Sequence, residues 1–335
     1  MKIKFLVLFS SFIILNSYAI KSQEMRITPR PQNITTGYNT FKISEETQII
    51  FDSISENIAN NLQQYFKDDF GFTPKTNNYQ SLKKNIITFQ EDDSLPNEGY
   101  ELSVSKNKII ICAKNDTGWF YAIQTLRQIC SFSSYYSKYQ KYIEVKEIKI
   151  KDAPRFKWRS FMLDEARYFK GMKQVKMLLD EMAFLKMNIF HWHLVDDQGW
   201  RIEIKKYPKL TEIGSKRKST QIGPLQWESP IQSAEPHEGF YTQEEIKEII
   251  TYAKERHITV VPEIEMPGHS TAAIASYPWL GTSKKEIEVP IRFGVGKDVY
   301  DVTNPKTYQF LTDVLDEVMA LFPSKIIHIG GDEVK

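Results

Sequence analysis

Two adjacent carboxylates follow the last apolar segment of the sequence. Residues 325–329 have the composition of a β-strand, Gly330-Gly331 permits a sharp turn, and Asp332-Glu333 come directly after it. Most acidic pairs lie in solvated turns, but a pair at the end of a strand suits acid/base chemistry, because one carboxyl group can hold a proton while its neighbour stays charged. Asp332 and Glu333 are therefore candidate catalytic residues.

Other side chains capable of chemistry lie along or just after three further apolar segments, residues 161–163, 189–195 and 258–264. They are Asp164, Arg167, His191, His193, Asp196, Asp197, Glu263, Glu265 and His269. Carboxylates with aromatic neighbours suit sugar chemistry, in which a glycosidic oxygen needs a proton and an oxocarbenium-like carbon needs nearby negative charge. The set predicts a carbohydrate-processing site built from several strand ends.

The elements that must position these residues alternate between strands and helices from Arg155 onward. Strands are expected at 161–163, 189–195, 258–264 and 326–329, and helices at 172–185, 242–256 and 304–322. Thr242 and Glu245 have the spacing of a capping box, and Asn304-Pro305 suits a helix start. Alternation of this kind predicts a parallel sheet, and active sites of β/α barrels lie at the carboxyl ends of the strands. Residues 151–335 are therefore interpreted as a partial (β/α)8 TIM barrel, about its first four strands.

Residues 23–150 have a different pattern and predict a small α+β domain. Strands are expected at 49–51, 86–89, 100–104 and 109–112, helices at 55–66 and 118–129, and a loop at 131–141. Lys106-Asn107 suits a tight hairpin between the last two strands. The fold class is therefore an α+β N-terminal domain followed by an α/β barrel segment.

The first 22 residues predict an export signal. Lys2 and Lys4 precede an apolar stretch at 5–15, and the small residues Ser17 and Ala19 suit cleavage. No later apolar run approaches about 20 residues, so no membrane span is expected after cleavage. We expect an exported protein in a periplasmic, extracellular or lysosome-like compartment.

Composition excludes several other classes of protein. The net charge is +2 among 335 residues, without a dense run of lysine and arginine, which argues against nucleic-acid binding. Cys112 and Cys130 fit no zinc pattern, and their pairing stays open.

Four motifs resemble those of glycoside hydrolase family 20, the β-N-acetylhexosaminidases. They are WRSFMLDEARYF at 158–169, HWHLVDDQGWR at 191–201, VPEIEMPGH at 261–269 and HIGGDE at 328–333. Residues 98–102 and 119–127 also resemble the small domain that precedes the barrel in that family. The motifs occur in order over roughly residues 90–335.

The resemblance implies hydrolysis of terminal non-reducing N-acetyl-D-hexosamine residues from β-linked glycans. The substrate's own acetamido group would act as the nucleophile, Glu333 as general acid and base, and Asp332 as the group that orients the acetamide. Arg167 would bind hydroxyls of the terminal sugar. No cofactor and no metal are implied, because the acid and the substrate amide do the chemistry.

The same resemblance implies a supporting network for Glu333. Asp196 and His269 would link to the acid and tune its proton affinity, with Glu265 close to this network. Only one of the neighbours Asp196 and Asp197 is expected to point inward, and Asp196 is favoured.

Several alternatives remain at the level of the sequence. Arg167 could simply pair with Asp164, and His269 could cap a loop. A metal-dependent barrel hydrolase would use His191, His193, His269 and an aspartate, although packed strand histidines are the simpler interpretation. A truncated or decayed chain that only binds glycan is a further alternative.

The number of predicted barrel strands is relevant to the alternative of a truncated chain. Residues 155–335 have room for about half of a (β/α)8 barrel. We therefore expect this chain on its own to hydrolyse N-acetylglucosaminides negligibly. Linkage, epimer preference and oligomeric state are not determined by the sequence.

Overall fold

The computed structural model describes residues 27–78, 82–134, 141–223 and 229–334, and the predicted export signal at 1–22 lies outside the described residues. A seven-stranded mixed sheet occupies the N-terminal part, and a three-stranded parallel sheet lies in the C-terminal part. Among the described residues, no helix has the length and apolar character needed to cross a membrane. Cys112 and Cys130 are both free thiols.

The first sheet has the strand order β1-β7-β5-β6-β4-β2-β3. Its strands are β1 (Asn33–Ser44), β2 (Gln48–Ile50), β3 (Lys75–Asn77), β4 (Ile86–Glu91), β5 (Tyr100–Val104), β6 (Lys108–Ala113) and β7 (Tyr142–Asp152). The four predicted strands and the β5–β6 hairpin are confirmed. The long pair β1 and β7 was not predicted, although the strict alternation of YIEVKEIKIKD in β7 is a strand pattern.

Two helices pack with this sheet, α1 (Glu56–Phe70) and α2 (Asp116–Ser134). The second helix is buried on nearly all sides because it contacts β5, β6 and β7 on one face and the next helix of the chain on another. It continues to Ser134, so the loop predicted at 131–141 is wrong for residues 131–134, and residues 135–140 lie outside the described residues.

The second sheet contains β8 (Ser160–Asp164), β9 (Ile189–His193) and β14 (Thr259–Glu263), in the order β14-β9-β8. Helices α3 (Met172–Phe184) and α5 (Gln243–Lys254) connect these strands, and α7 (Pro305–Leu321) follows. The predicted capping box is present at the start of α5, where Thr242 accepts from the Glu245 backbone and Glu245 accepts in return. The predicted Asn304 cap of α7 is present as well.

Short strands and helices lie in the connections of the second sheet. They are β10 (Val195–Asp196), β11 (Gly199–Trp200), β12 (Lys216–Arg217), β13 (His237–Glu238), α4 (Lys209–Glu212) and α6 (Thr271–Ser276). Pairs β10–β11 and β12–β13 are antiparallel two-stranded ribbons.

The predicted fourth strand at 326–329 is not a strand in the structure. A single parallel bridge joins Glu263 to His328, supported by backbone bonds on either side of it. Regular pairing ends there because Gly330 and Gly331 take left-handed φ angles of 63° and 94°. Within the described ranges there is no closed barrel, only three parallel strands and this bridged segment.

The N-terminal ends of the three strands rest on the small domain. Arg159, which precedes β8, lies 2.6 Å from Glu98. Lys186, which precedes β9, donates to Thr125 Oγ1 at 2.8 Å, and His257, which precedes β14, contacts Thr117 Oγ1 at 3.1 Å. Charged and polar side chains therefore join the second sheet to the small domain at the end opposite the motif residues.

Lys186 provides a test of this junction. Burial lowers the pKa of its ammonium group from 10.5 to about 8, although Asp152 lies 3.7 Å away. Between those two pKa values the unfolded chain binds more protons than the folded chain, so the free energy of unfolding rises with pH. We expect a rise of about 1 to 2 kcal/mol from about pH 8 to about pH 10 in denaturant unfolding.

The matched variant is Lys186→Met, which keeps the aliphatic stem and removes the titrating group. The difference in unfolding free energy between the two proteins should change over this pH window by the same amount. A constant difference would contradict the proposed state of Lys186.

Candidate active site

Register brings the strand ends of the second sheet into one row. Asp164 pairs with His193 across β8 and β9, and His193 pairs with Glu263 across β9 and β14. The carboxyl ends of parallel strands lie at one edge of a sheet, so residues that follow these strands converge there. The motif residues therefore surround a single site although they come from four segments of the chain.

Asp196 is the buried centre of this site. Its carboxylate has no solvent exposure and lies 2.6 Å from Arg167 Nη2, 3.2 Å from His269 Nδ1 and 3.4 Å from His193 Nε2. Burial raises the pKa of Asp196, but contacts with His193, His269 and Arg167 outweigh this effect and lower it to about 2. Asp196 is therefore a permanent negative charge at neutral pH.

His269 connects this charge to the acidic pair. Its Nδ1 lies 3.2 Å from Asp196 Oδ1 and 3.3 Å from Asp197 Oδ2, and its Nε2 lies 3.3 Å from Glu333 Oε2. Hydrogen bonding to the two aspartates raises the pKa of His269 to about 11. The ring therefore carries a proton and a positive charge beside Glu333, and it does more than cap a loop.

Asp197 also points inward, so the expectation that only one of the two aspartates does so is wrong. Its carboxylate accepts from the Thr271 backbone at 3.0 Å and from the Gly296 backbone at 2.8 Å, besides contacting His269. His269 Nδ1 lies between the two carboxylates, which explains why both can face it. Asp197 thereby fixes the loops around His269.

Glu265 lies beneath the turn that carries the acidic pair. It is 4% exposed, and its Oε1 lies 3.5 Å from His193 Nε2. Burial and the neighbouring charge of Glu263 raise the pKa of Glu265 to about 7. A Cβ atom added to Gly330 would overlap the Glu265 carboxyl group, so a glycine is required there on steric grounds as well as by its φ angle.

The acidic pair lies at the rim of the site. One ligand atom each from His269, Asp332 and Glu333 all lie within 4.8 Å of one another. The Glu333 side chain is 54% exposed, whereas His269 behind it is buried. The two carboxyl groups therefore face open space with a charged network at their back.

Arg167 bridges two carboxylates instead of pairing with Asp164 alone. Its Nη1 lies 3.2 Å from Asp164, and its Nη2 lies 2.6 Å from Asp196. The Nε atom of Arg167 is shielded from solvent and has no hydrogen-bond partner among the described residues.

His193 also belongs to this network. The sequence had indicated only a packed or a metal-binding histidine at this position. It is 3% exposed and lies between Arg167 Nη1, Asp196 and Glu265. Its position two residues after His191 on a strand, directly before the Asp196 segment, was an available signal. His191, in contrast, lies against Glu263 at 2.7 Å.

The histidines of the metal-hydrolase alternative do not share one cluster. Groups of close ligand atoms place His191 with Glu263 and His328, His193 with Asp196 and Glu265, and His269 with the two aspartates or the acidic pair. The arrangement that alternative needs is therefore not formed by these residues.

Comparison with known proteins identifies the relatives of this chain. The model of glycosyl hydrolase family 20, catalytic domain, matches residues 156–335, and the model of domain 2 of the same family matches residues 24–153. A beta-hexosaminidase of Porphyromonas gingivalis is 39% identical over 313 residues, covering 92% of this chain and 39% of the relative. A beta-hexosaminidase of Vibrio furnissii is also 39% identical, covering 94% of this chain and 50% of the relative.

Solved structures agree with these relatives. The GH20 exo-β-N-acetylglucosaminidase of Vibrio harveyi, in complex with N-acetylglucosamine, superposes with a TM-score of 0.78 at 36% identity over 92% of this chain and 47% of that chain. The N-acetyl-β-hexosaminidase of Streptomyces plicatus gives a TM-score of 0.80 at 33% identity over 92% of this chain and 59% of that chain. The architecture is thus an N-terminal domain followed by a TIM-barrel-like catalytic domain, and the chain spans about half the length of the relatives it matches. The chain belongs to glycosyl hydrolase family 20.

Proposed function

We propose that this chain carries the catalytic groups of a β-N-acetylhexosaminidase. The reaction is removal of a terminal non-reducing N-acetyl-D-hexosamine from a β-linked glycan, with retention of configuration. The observation that carries the proposal is the contact of Glu333 with His269, which is itself held between the buried carboxylates Asp196 and Asp197. The relatives named beta-hexosaminidase and the solved N-acetylglucosamine complex support the substrate class.

In the first step, the acetamido oxygen of the bound sugar forms a bond to the anomeric carbon as the glycosidic C–O bond breaks. Glu333 gives its proton to the departing oxygen and becomes a carboxylate. The imidazolium of His269, 3.3 Å away, stabilises this new negative charge. The product of the step is a cationic oxazolinium-like ring, and no bond to the protein forms.

Asp332 supplies a negative charge beside the positive charge that develops on the substrate. A carboxylate next to the acetamide can accept its N–H and stabilise the cationic ring. In the second step Glu333 takes a proton from water, the water oxygen bonds to the anomeric carbon, and the acetamide is released. Two inversions at the same carbon leave the configuration unchanged.

Arg167 is assigned to the sugar hydroxyls. The Arg167 side chain is 26% exposed at the edge of the sheet where the strand ends meet, and this exposed part of the guanidinium supports the role, because guanidinium N–H groups donate to hydroxyl oxygens. The ion pairs to Asp164 and Asp196 hold the guanidinium rigidly and limit the entropy lost on binding.

The geometry also supports low activity of the chain alone. A general acid works best when its surroundings exclude water, and the Glu333 side chain is 54% exposed. We expect negligible turnover of 4-nitrophenyl N-acetyl-β-D-glucosaminide by the purified chain. Turnover close to that of a full-length relative would overturn this expectation.

The catalytic assignment is best tested in a hybrid enzyme, in which residues 27–334 are followed by the remaining C-terminal part of the Porphyromonas gingivalis relative. Glu333→Gln removes the proton donor but keeps the shape of the side chain. We expect a loss of at least about 100-fold in kcat/KM on an alkyl N-acetyl-β-glucosaminide.

The control for this test is Glu46→Gln, the same change at an exposed ion pair of the small domain. It should leave kcat/KM unchanged. A Glu333→Gln hybrid that keeps the activity of its parent would refute the role of Glu333.

Glu265 gives a pH-dependence test in the same hybrid. Below about pH 7 its carboxyl group is neutral, and above it ionisation adds a negative charge beside Asp196 and the Gly330 turn. We expect kcat to fall as pH rises through this range, and Glu265→Gln, which mimics the neutral acid, to remove that limb of the profile. If kcat of the variant falls with rising pH in the same way as kcat of its parent, Glu265 does not cause that fall.

A further inference from the structure

Three side chains that suit metal ligation meet beside β14, outside the groups assigned to catalysis. His191 Nε2 lies 2.7 Å from Glu263 Oε2, and His328 Nδ1 lies 2.8 Å from Glu263 Oε1. The three ligand atoms lie within 4.8 Å of one another, and the two imidazole rings are 4.8 Å apart. They come from β9, β14 and the bridged segment that leads to the catalytic turn.

Hydrogen bonding does not account fully for this cluster. His191 Nε2 is shut off from solvent and makes no well-directed hydrogen bond to any described residue, although Glu263 Oε2 lies 2.7 Å away. A buried imidazole nitrogen without a partner is costly unless something else satisfies it. The nitrogen therefore has an unused ligand position beside a carboxylate and a second histidine.

The chemistry of the cluster suits a cation. Glu263 presents one carboxylate oxygen to each imidazole, Oε2 to His191 and Oε1 to His328, so three potential ligand atoms converge on one point. Two imidazoles and one carboxylate favour zinc among the common divalent ions, whereas magnesium and calcium prefer oxygen ligands. The set matches the ligands of three-residue zinc sites that keep a position for water.

The other candidate groups are less suited to a cation. Asp196 is already neutralised by Arg167 at 2.6 Å, and the pKa of His269 is raised by its two aspartates, so that its ring stays protonated. An ion in either group would have to face one of these positive charges. Among the described residues, Glu263 has no ion pair with an arginine or lysine, and its charged neighbours are histidines.

We propose that His191, Glu263 and His328, none of which takes part in the catalytic steps, form a binding site for a zinc ion. His328 Nδ1 accepts a hydrogen bond from the Gly330 backbone at 3.1 Å. Coordination through that nitrogen uses the same lone pair, so the ion competes with the hydrogen bond that holds the turn before Asp332 and Glu333. Zinc occupancy therefore shifts this turn, and the site is one of regulation by metal.

The direct test is a titration of the chelator-treated chain with zinc chloride, followed by calorimetry. We expect about one equivalent of tightly bound zinc, and an X-ray absorption spectrum whose multiple scattering shows two imidazole ligands. Absence of saturable binding, or a spectrum without imidazole, would overturn the proposal.

Isosteric variants locate the ion. Glu263→Gln and His328→Gln should each weaken zinc binding at least about tenfold. His237→Gln, a histidine outside every group of close ligand atoms, should leave the affinity unchanged, and circular dichroism of each variant checks its fold. Zinc binding that is lost in His269→Gln but kept in Glu263→Gln would place the ion in the catalytic network and refute the assignment.

Discussion

A carboxylate without solvent has to be neutralised by its neighbours, and the arrangement of the whole site follows from this requirement at Asp196. Its partners come from separate segments: Arg167 follows β8, His193 ends β9, and His269 follows β14. Removal of one partner leaves a buried charge uncompensated, which costs several kcal/mol. The charge of Asp196 therefore holds three strand ends in one arrangement. His269 then connects the loop that carries the acidic pair to these strand ends.

The same burial produces opposite protonation states in neighbouring carboxyl groups. Asp196 has two histidines and a guanidinium around it and a pKa of about 2, whereas Glu265 faces the negative charge of Glu263 and has a pKa of about 7. His193 lies between these two acids. Its Nε2 is 3.4 Å from Asp196 Oδ2 and 3.5 Å from Glu265 Oε1. Charge placement, more than the number of acidic residues, separates a fixed anion from a group that can exchange a proton near neutral pH.

Local patterns in the sequence predicted the features that depend on near neighbours. The capping box at Thr242 and the turn at Gly330-Gly331 involve residues a few positions apart, so their spacing was sufficient. Strand β7 has an alternating pattern that could have been recognised, whereas β1 is exposed along most of its length and has no clear alternation of apolar residues. The inward position of Asp197 also depends on distant groups, Thr271 and Gly296, which no local pattern reveals.

The two ends of the parallel sheet have different tasks. Arg159, Lys186 and His257 attach one end to the small domain, and the acidic pair with its network occupies the other. A substitution in the loops after the strands can therefore change the site without disturbing the contact with the small domain. Such a division lets the residues of the site change while the residues that hold the sheet on the small domain stay the same.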